Sequence, residues 1–184
     1  ASMLGRDVSL TSVLDFGCGA GRLTVPLARR AVRVVACDVA PSVLEHARKN
    51  VRDAGLRNVT FVETRELAGR FDFVCSLLVF QHIRPVEGYK LIRELLRLLN
   101  PGGVAVLQLW LEPSGGGLRR LARMRFGRVR RALPRRMQMP AWMQVNAYDE
   151  RVVIRDVAAA GASLIGRFAT SDAGSVFVIE KPPR

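Results

Sequence analysis

The stretch from Val13 to Gly21 constrains this chain most. It is an apolar run that ends in closely spaced glycines, Val-Leu-Asp-Phe-Gly-Cys-Gly-Ala-Gly. Such glycines let backbone pass near a ligand, and a helix that follows them offers free N–H groups there. Asp38 ends the next apolar run, 21 positions after Gly17, where a carboxylate can accept hydrogen bonds from both hydroxyls of a ribose. The pattern therefore predicts a nucleoside site at the ends of two strands.

The spacing of the glycines narrows the class of nucleotide. Gly17, Gly19 and Gly21 make G-x-G-x-G, whereas the dinucleotide fingerprint needs its third glycine at position 22, where this chain has Arg22. A nicotinamide oxidoreductase also usually has a larger catalytic region. The sequence therefore disfavours that class.

Length and composition predict a single domain over residues 1–184. The chain has 184 residues, of which 49% are hydrophobic, and no internal boundary would leave two viable halves. No uncharged apolar run is long enough to span a membrane, and the N-terminus lacks a leader pattern, so we expect a cytoplasmic protein. The three cysteines lack metal-ligand spacing and there are two histidines, so we expect free, buried thiols and no metal site.

Apolar periodicity predicts strands that alternate with helices, which favours a parallel sheet. The predicted strands are 12–16, 32–37, 58–62, 71–77, 104–111, 163–168 and 175–180, and the predicted helices are 21–30, 41–54, 86–99 and 149–160. Asn100-Pro101-Gly102-Gly103 predicts a turn, and Asp149 is the expected N-cap of the last helix. The last two strands are joined by the short polar loop 170–174, so they form a hairpin and one edge strand of the sheet is reversed.

Four segments in order resemble class I S-adenosylmethionine-dependent methyltransferases, of the bacterial small-molecule type. They are the glycine loop, the acidic strand end at Asp38, the strand from Phe71 to Ser76 leading to Gln81-His82-Ile83, and the turn at 98–103 before a strand. The antiparallel tail extends the resemblance to the C-terminus. The resemblance implies an α/β fold: a Rossmann-like, doubly wound, mostly parallel seven-stranded sheet with an antiparallel C-terminal strand, in three layers α/β/α.

The resemblance also implies which residues contact S-adenosylmethionine. They are Asp15, Gly17, Cys18, Gly19, Gly21, Asp38, Val39, Thr64, Glu66, Ser76, Leu77 and His82. Asp15 would orient the loop and approach the amino group of the methionine part, Asp38 would hold the ribose hydroxyls, and Val39 would pack on the adenine. Many family members carry Gly-Asp after the third strand to meet the adenine amino group. This chain has Glu63-Thr64-Arg65 there, which leaves Thr64 or Glu66 as the substitute.

A basic, lid-like insertion at about 112–148 follows the fifth predicted strand, whose carboxyl end lies on the ligand side of such a sheet. Between residues 113 and 148 there are nine arginines and no acidic residue, and Ser-Gly-Gly-Gly at 114–117 indicates a hinge. Only 14 residues precede Asp15, so we expect this insertion to cover the site; the alternative is that the chain is shortened. The arginines at 119–136 are compatible with nucleic-acid phosphates, with an anionic membrane surface, with attraction of an acidic small substrate, or with a solvated face that binds nothing.

The reaction implied by the resemblance is in-line displacement at the methyl carbon of S-adenosylmethionine by a small-molecule acceptor, leaving S-adenosylhomocysteine. His82 is the candidate general base, because it follows the fourth strand and imidazole exchanges protons near neutral pH; the alternative is that it caps a turn. Tyr148 is the second candidate catalytic residue: it is expected either to line the acceptor pocket or to have a core or interface role. Trp110, Trp142 and Met143 either form a pocket wall or are core residues. Two alternative functions stay open: a nucleic-acid methyltransferase that uses the arginines, and a protein that binds S-adenosylmethionine without catalysis.

Overall fold

A computed structural model describes residues 7–112, 145–170 and 174–183. Within these ranges the strands are β1 (Ser12–Phe16), β2 (Arg33–Asp38), β3 (Val59–Glu63), β4 (Phe71–Ser76), β5 (Leu99–Trp110), β6 (Ser163–Ala169) and β7 (Gly174–Glu180). The helices are α1 (Thr24–Ala28), α2 (Pro41–Asp53), α3 (Pro85–Arg97) and α4 (Glu150–Ala159), with 3-10 turns at Thr64–Glu66 and Phe80–His82. The predicted hinge, the arginine-rich segment, Trp142 and Met143 lie outside the described residues.

The strands form one seven-stranded sheet in the order β3-β2-β1-β4-β5-β7-β6. Neighbouring strands from β3 to β5 are parallel, and β7 is antiparallel to both β5 and β6. The predicted fold class is confirmed, but the expectation that the reversed strand lies at the edge is wrong. The apolar run of β7 alternates between fully and partly buried positions and suits the interior of the sheet, whereas β6 is half exposed and forms the edge.

Helices cover both faces of the sheet and give three layers. Successive residues of a strand point to opposite faces, so Val13 packs with Ala28 of α1 while Leu14 belongs to a separate cluster with Leu95 of α3 and Val157 of α4. Every residue of β1 is buried, as expected for a central parallel strand. No helix among the described residues is both long and apolar enough to cross a membrane.

The turn predicted at Asn100–Gly103 is part of β5 instead. Phe71 of β4 pairs with Leu99 and Phe73 with Val104, so the extra residues of β5 bulge out of the ladder. Gly102 turns the bulge at φ +74°, and its N–H donates to the carbonyl of Lys181 at 2.8 Å, while the Lys181 N–H donates to the carbonyl of Gly103 at 2.9 Å. These bonds keep the segment attached to the sheet, which is why it is a bulge and not a free turn.

Candidate functional site

The glycine loop after β1 explains why the helix predicted at 21–30 begins only at Thr24. Gly17, Gly19 and Gly21 have φ values of +71°, +53° and +86°, which right-handed helix does not allow. The N–H groups of Gly17 and Cys18 both donate to the carbonyl of Cys37, at 2.7 and 3.0 Å, so the loop folds back over the end of β2.

Two of these glycines are needed for different reasons. A Cβ at Gly17 would overlap a methyl group of Val79, which lies in the loop after β4. A Cβ at Gly19 would meet nothing within 4 Å. Gly17 therefore brings two loops of the protein into contact, whereas Gly19 leaves open space over the backbone. Open backbone beside a turn with positive φ is where a ligand can approach closely.

Asp38 is the last residue of β2 and holds the glycine loop. Its Oδ2 accepts a hydrogen bond from the Gly19 N–H at 3.0 Å, and its Oδ1 accepts one from the Ala40 N–H at 3.1 Å. The side chain is half-buried, and each carboxylate oxygen keeps a second lone pair. The next residue, Val39, is 78% exposed, so an apolar surface lies beside a carboxylate that can accept two further hydrogen bonds.

Asp15 is a buried carboxylate beneath the loop. Its Oδ2 accepts a hydrogen bond from the Thr24 hydroxyl at 2.6 Å, and its Oδ1 accepts one from the Cys75 thiol at 3.6 Å. Burial raises the pKa of Asp15, and the two hydrogen bonds partly oppose that rise. Asp15 thus joins β1 to α1 and to β4, which fits the expected role in orienting the loop.

The thiols around Asp15 are free and buried, as expected for Cys18, Cys37 and Cys75. Burial raises the pKa of Cys18 to about 12 and that of Cys37 to about 11, and neighbouring carboxylates add to both shifts. Thiols with such pKa values are protonated at neutral pH and are poor nucleophiles. Their contribution is packing.

The end of β3 carries the two candidates for adenine recognition. Thr64 is exposed, and its hydroxyl lies 3.7 Å from the thiol of Cys37, next to the glycine loop. Glu66 turns back instead: its Oε2 lies 3.4 Å from the Glu63 N–H and closes a capping box over the 3-10 turn. The geometry favours Thr64, because its hydroxyl lies beside Cys37, whose carbonyl accepts the hydrogen bonds of the glycine loop, whereas the side chain of Glu66 is directed back to its own turn.

The end of β4 shows two features that the sequence did not reveal. Leu78 has φ +62°, which is unusual for a residue with a side chain, and its N–H donates to Oε1 of Gln108 at 3.2 Å. A glutamine inside the otherwise apolar part of β5, residues 104–110, was the available signal, since a buried amide needs a partner. Ser76 is fully buried and its hydroxyl has no hydrogen-bond partner within the described ranges, while Leu77 is half-buried.

His82 and Tyr148 occupy different environments. The imidazole of His82 is exposed, and its Nε2 lies 3.3 Å from Nε2 of Gln81. Tyr148 is fully buried, its hydroxyl lies 2.9 to 3.0 Å from two backbone carbonyls, and burial raises its pKa. These contacts favour the core alternative for Tyr148 over a catalytic role.

The residues expected to contact a cofactor follow the carboxyl ends of β1, β2, β3 and β4, which meet at one edge because these strands are parallel. The chain leaves β5 at this edge and returns to it, since the Glu112 N–H donates to the carbonyl of Tyr148 at 2.8 Å. Asp149 caps α4 as expected, with its carboxylate accepting a hydrogen bond from the Arg151 N–H at 2.9 Å. Among the described side chains no group of His, Cys, Asp and Glu could hold a metal ion.

Comparison with known proteins places this edge in context. A family model described as "Methyltransferase domain" matches residues 13–103. A ubiquinone biosynthesis O-methyltransferase from Methylocella silvestris is 40% identical over 103 residues, which are 54% of this chain and 40% of that protein. One from Rickettsia canadensis is 30% identical over 106 residues, 55% of this chain and 44% of that protein. The chain thus spans less than half the length of these curated relatives.

Solved structures share the fold over nearly the whole chain. Magnesium protoporphyrin IX methyltransferase from Synechocystis PCC 6803, with bound S-adenosylhomocysteine, superimposes with a TM-score of 0.71 at 21% identity, covering 95% of this chain and 76% of that one. An N-methyltransferase from Bradyrhizobium japonicum, also with S-adenosylhomocysteine, gives 0.66 at 17% identity, covering 95% and 79%. At these identities the likeness shows the fold.

Proposed function

We propose that this chain, which belongs to the class I S-adenosylmethionine-dependent methyltransferases, binds S-adenosylmethionine and transfers its methyl group to a small-molecule acceptor. The observation that carries the proposal is Asp38, whose half-buried carboxylate ends β2 beside the glycine loop with a lone pair free on each oxygen. Two adjacent acceptors suit the two adjacent hydroxyls of a ribose.

The other residues of the edge fit the remaining parts of this cofactor. The open backbone at Gly19 has room for the methionine part, and Asp15 holds the loop from beneath. Val39 offers an exposed apolar surface for adenine, and we assign the polar contact with adenine to Thr64. Ser76 supports the fit as well. It is the last residue of β4, the strand next to β1, and its buried hydroxyl has no hydrogen-bond partner among the described residues.

The cofactor supplies a methyl group on a sulfonium sulfur, which is already activated toward displacement. The work left to the protein is to position the two reactants, which supplies much of the rate in such reactions. We assign His82 the role of general base when the acceptor is a hydroxyl, because its exposed imidazole stands at the ligand edge of the sheet. The turn at Phe80–His82 sets the place of that imidazole.

A small-molecule acceptor is the proposal because the curated relatives, which are 30–40% identical over the matched residues, are named for ubiquinone biosynthesis. The nucleic-acid alternative depends on the arginines at 119–136, which lie outside the described residues. No contact among the residues that the structure describes favours it.

Calorimetric titration with S-adenosylhomocysteine, run beside NADH, tests the cofactor class. We expect binding of the first and none of the second. Asp38→Ala should weaken that binding about 10- to 100-fold, because hydrogen bonds to a charged group contribute about 1.5–3 kcal/mol. Asp53→Ala is the matched control, since it removes an exposed carboxylate of α2 that pairs with Lys49. An unchanged affinity in Asp38→Ala would show that the ribose assignment is wrong.

His82→Ala separates binding from transfer. We expect it to bind S-adenosylhomocysteine as the wild type does and to slow methyl transfer to a hydroxyl acceptor. Equal transfer rates in the variant and the wild type would remove His82 from the reaction and leave it as a turn residue.

A further inference from the structure

The loop that carries His82, residues 77–84, is fastened by a segment distant in sequence. The backbone N–H and the side-chain amide of Asn146 both donate to the carbonyl of Gln81, at 2.8 and 3.1 Å. The hydroxyl of Tyr148 lies 3.0 Å from the carbonyl of Phe80 and 2.9 Å from that of Ile83, and it donates to this pair. Two residues of the segment that leads into α4 therefore hold three carbonyls around His82.

The pocket for Tyr148 is closely fitted. Its ring packs edge-on against Phe80, with centroids 6.0 Å apart, and against Tyr89, with centroids 5.4 Å apart. Gly88 of α3 makes room for it, because a Cβ there would overlap the hydroxyl and lie 2.5 Å from Cε1. Packing against α3 thus fixes the position of the Tyr148 hydroxyl, which lies within hydrogen-bond distance of the loop.

The same loop contacts the glycine loop on its other side. Val79 packs so closely against Gly17 that a Cβ there would overlap it, and the N–H of Leu78 is held by Gln108 of β5. Leu78 has left-handed backbone, and strained residues of this kind persist where the surroundings over-determine them. The His82 loop is therefore fixed from three directions, by the glycine loop, by β5 and by the segment before α4.

We propose that Asn146 and Tyr148 are positioning residues of the methyl-transfer site: they hold the His82 loop against the glycine loop and touch neither reactant. This inference rests on the proposed function for its meaning, because it assigns the loop to methyl transfer. The two N–H donors of Asn146 and the shared O–H of Tyr148 all end on backbone carbonyls of the loop, so they set its path while the imidazole of His82 stays exposed.

The histidine content makes the proposal testable by NMR. The chain has two histidines, so each imidazole Cε1–H signal can be assigned with one variant, His46→Gln. His46 is an exposed residue of α2 and serves as the internal reference. Tyr148→Phe keeps the ring and removes the hydroxyl. Tyr89→Phe is the matched control, since the hydroxyl of Tyr89 accepts a hydrogen bond from the Asp149 N–H and does not bond to the loop.

In Tyr148→Phe we expect the His82 signal to shift or broaden while the His46 signal keeps its position, and in Tyr89→Phe we expect both to stay. Asn146→Ala, which removes one donor and keeps the backbone bond, should give a smaller change of the same kind and serves if Tyr148→Phe does not fold. Addition of S-adenosylhomocysteine should shift the His82 signal in the wild type, and this shift should be reduced in Tyr148→Phe.

The results separate the two proposals. If the His82 signal of both variants coincides with that of the wild type, with and without S-adenosylhomocysteine, the positioning role is overturned. If His82 responds to Tyr148→Phe but the wild type does not bind S-adenosylhomocysteine by calorimetry, the loop is fastened as described but has no part in methyl transfer, which overturns both the proposed function and the positioning role.

Discussion

Gly88→Ala tests the packing of Tyr148 through a change that would normally stabilise a helix. Gly88 is a buried residue inside α3, and alanine is favoured over glycine in a helix interior by about 1 kcal/mol. Here the new methyl group would lie 2.5 Å from Cε1 and 2.6 Å from Cζ of Tyr148, whereas ordinary van der Waals contact begins near 3.4 Å. The ring would have to retreat by roughly 1 Å.

The cost of that retreat has two parts. Overpacking a core costs about 1–3 kcal/mol, and moving the hydroxyl away from the buried carbonyl of Phe80 costs about another 1–3 kcal/mol. After the helix-propensity gain of about 1 kcal/mol is subtracted, Gly88→Ala should lower the free energy of unfolding by about 3 kcal/mol. Urea unfolding followed by circular dichroism measures this difference.

Two further variants test whether the loss of stability in Gly88→Ala comes from its contact with Tyr148. In Tyr148→Leu the ring is absent, so Gly88→Ala should lose its cost and recover the gain of about 1 kcal/mol. Lys90→Ala, an exposed change on the same helix, should alter stability by less than about 0.5 kcal/mol. A Gly88→Ala protein as stable as the wild type would refute the packing of Tyr148 against α3.

Three further predictions concern the candidate site. Gly19→Ala should fold, with its free energy of unfolding lowered by about 1 kcal/mol because of the positive φ, and should no longer bind S-adenosylhomocysteine. Gly17→Ala should lose more stability, because its new methyl group overlaps Val79. Urea unfolding measures the two stabilities, and calorimetry measures the binding. Cys18 should resist alkylation in the native protein up to pH 9, since burial raises its pKa to about 12, and it should react after denaturation. Mass spectrometry locates the alkylated residues, and modified Cys18 in the native protein would contradict this prediction. Burial raises the pKa of Asp15 above its unfolded value, so the stability that its protonated form contributes is complete below about pH 4 and is lost as pH rises through the folded pKa. In urea unfolding, the stability of the wild type relative to Asp15→Asn should therefore fall from acidic to neutral pH. A difference that does not change with pH would refute the burial argument.

Local patterns predicted the framework well because each element signals itself. The buried run Ser12–Phe16 is a strand with the predicted ends, and α3 begins at Pro85 and ends at Arg97, one or two residues from the predicted bounds. The glycines follow β1 and Asp38 ends β2, and because these two strands are parallel their ends meet at one edge of the sheet. Their assignment to a cofactor stays a prediction until binding is measured.

Local sequence patterns do not predict contacts between residues that are distant in the chain. Tyr148 reaches the carbonyl of Phe80, 68 positions earlier, and nothing local to either residue reports that bond. The bulge at Asn100–Gly103 was predicted as a turn because proline and glycine mark turns, but hydrogen bonds to the distant residues Lys181 and Asp72 keep it in the sheet. The order of β6 and β7 likewise depends on which strand of the hairpin is more apolar, a comparison that the hairpin pattern alone does not make.

The pairing of Leu111 with Tyr148 joins the chain that leaves β5 to the chain that enters α4. The two ends of the intervening sequence are therefore fixed side by side by described residues. Doubling the length of such a stretch costs only about 0.6 kcal/mol in loop-closure entropy. A change in the number of residues between Leu111 and Tyr148 should therefore leave their pairing, and the strand and helix on either side of it, in place.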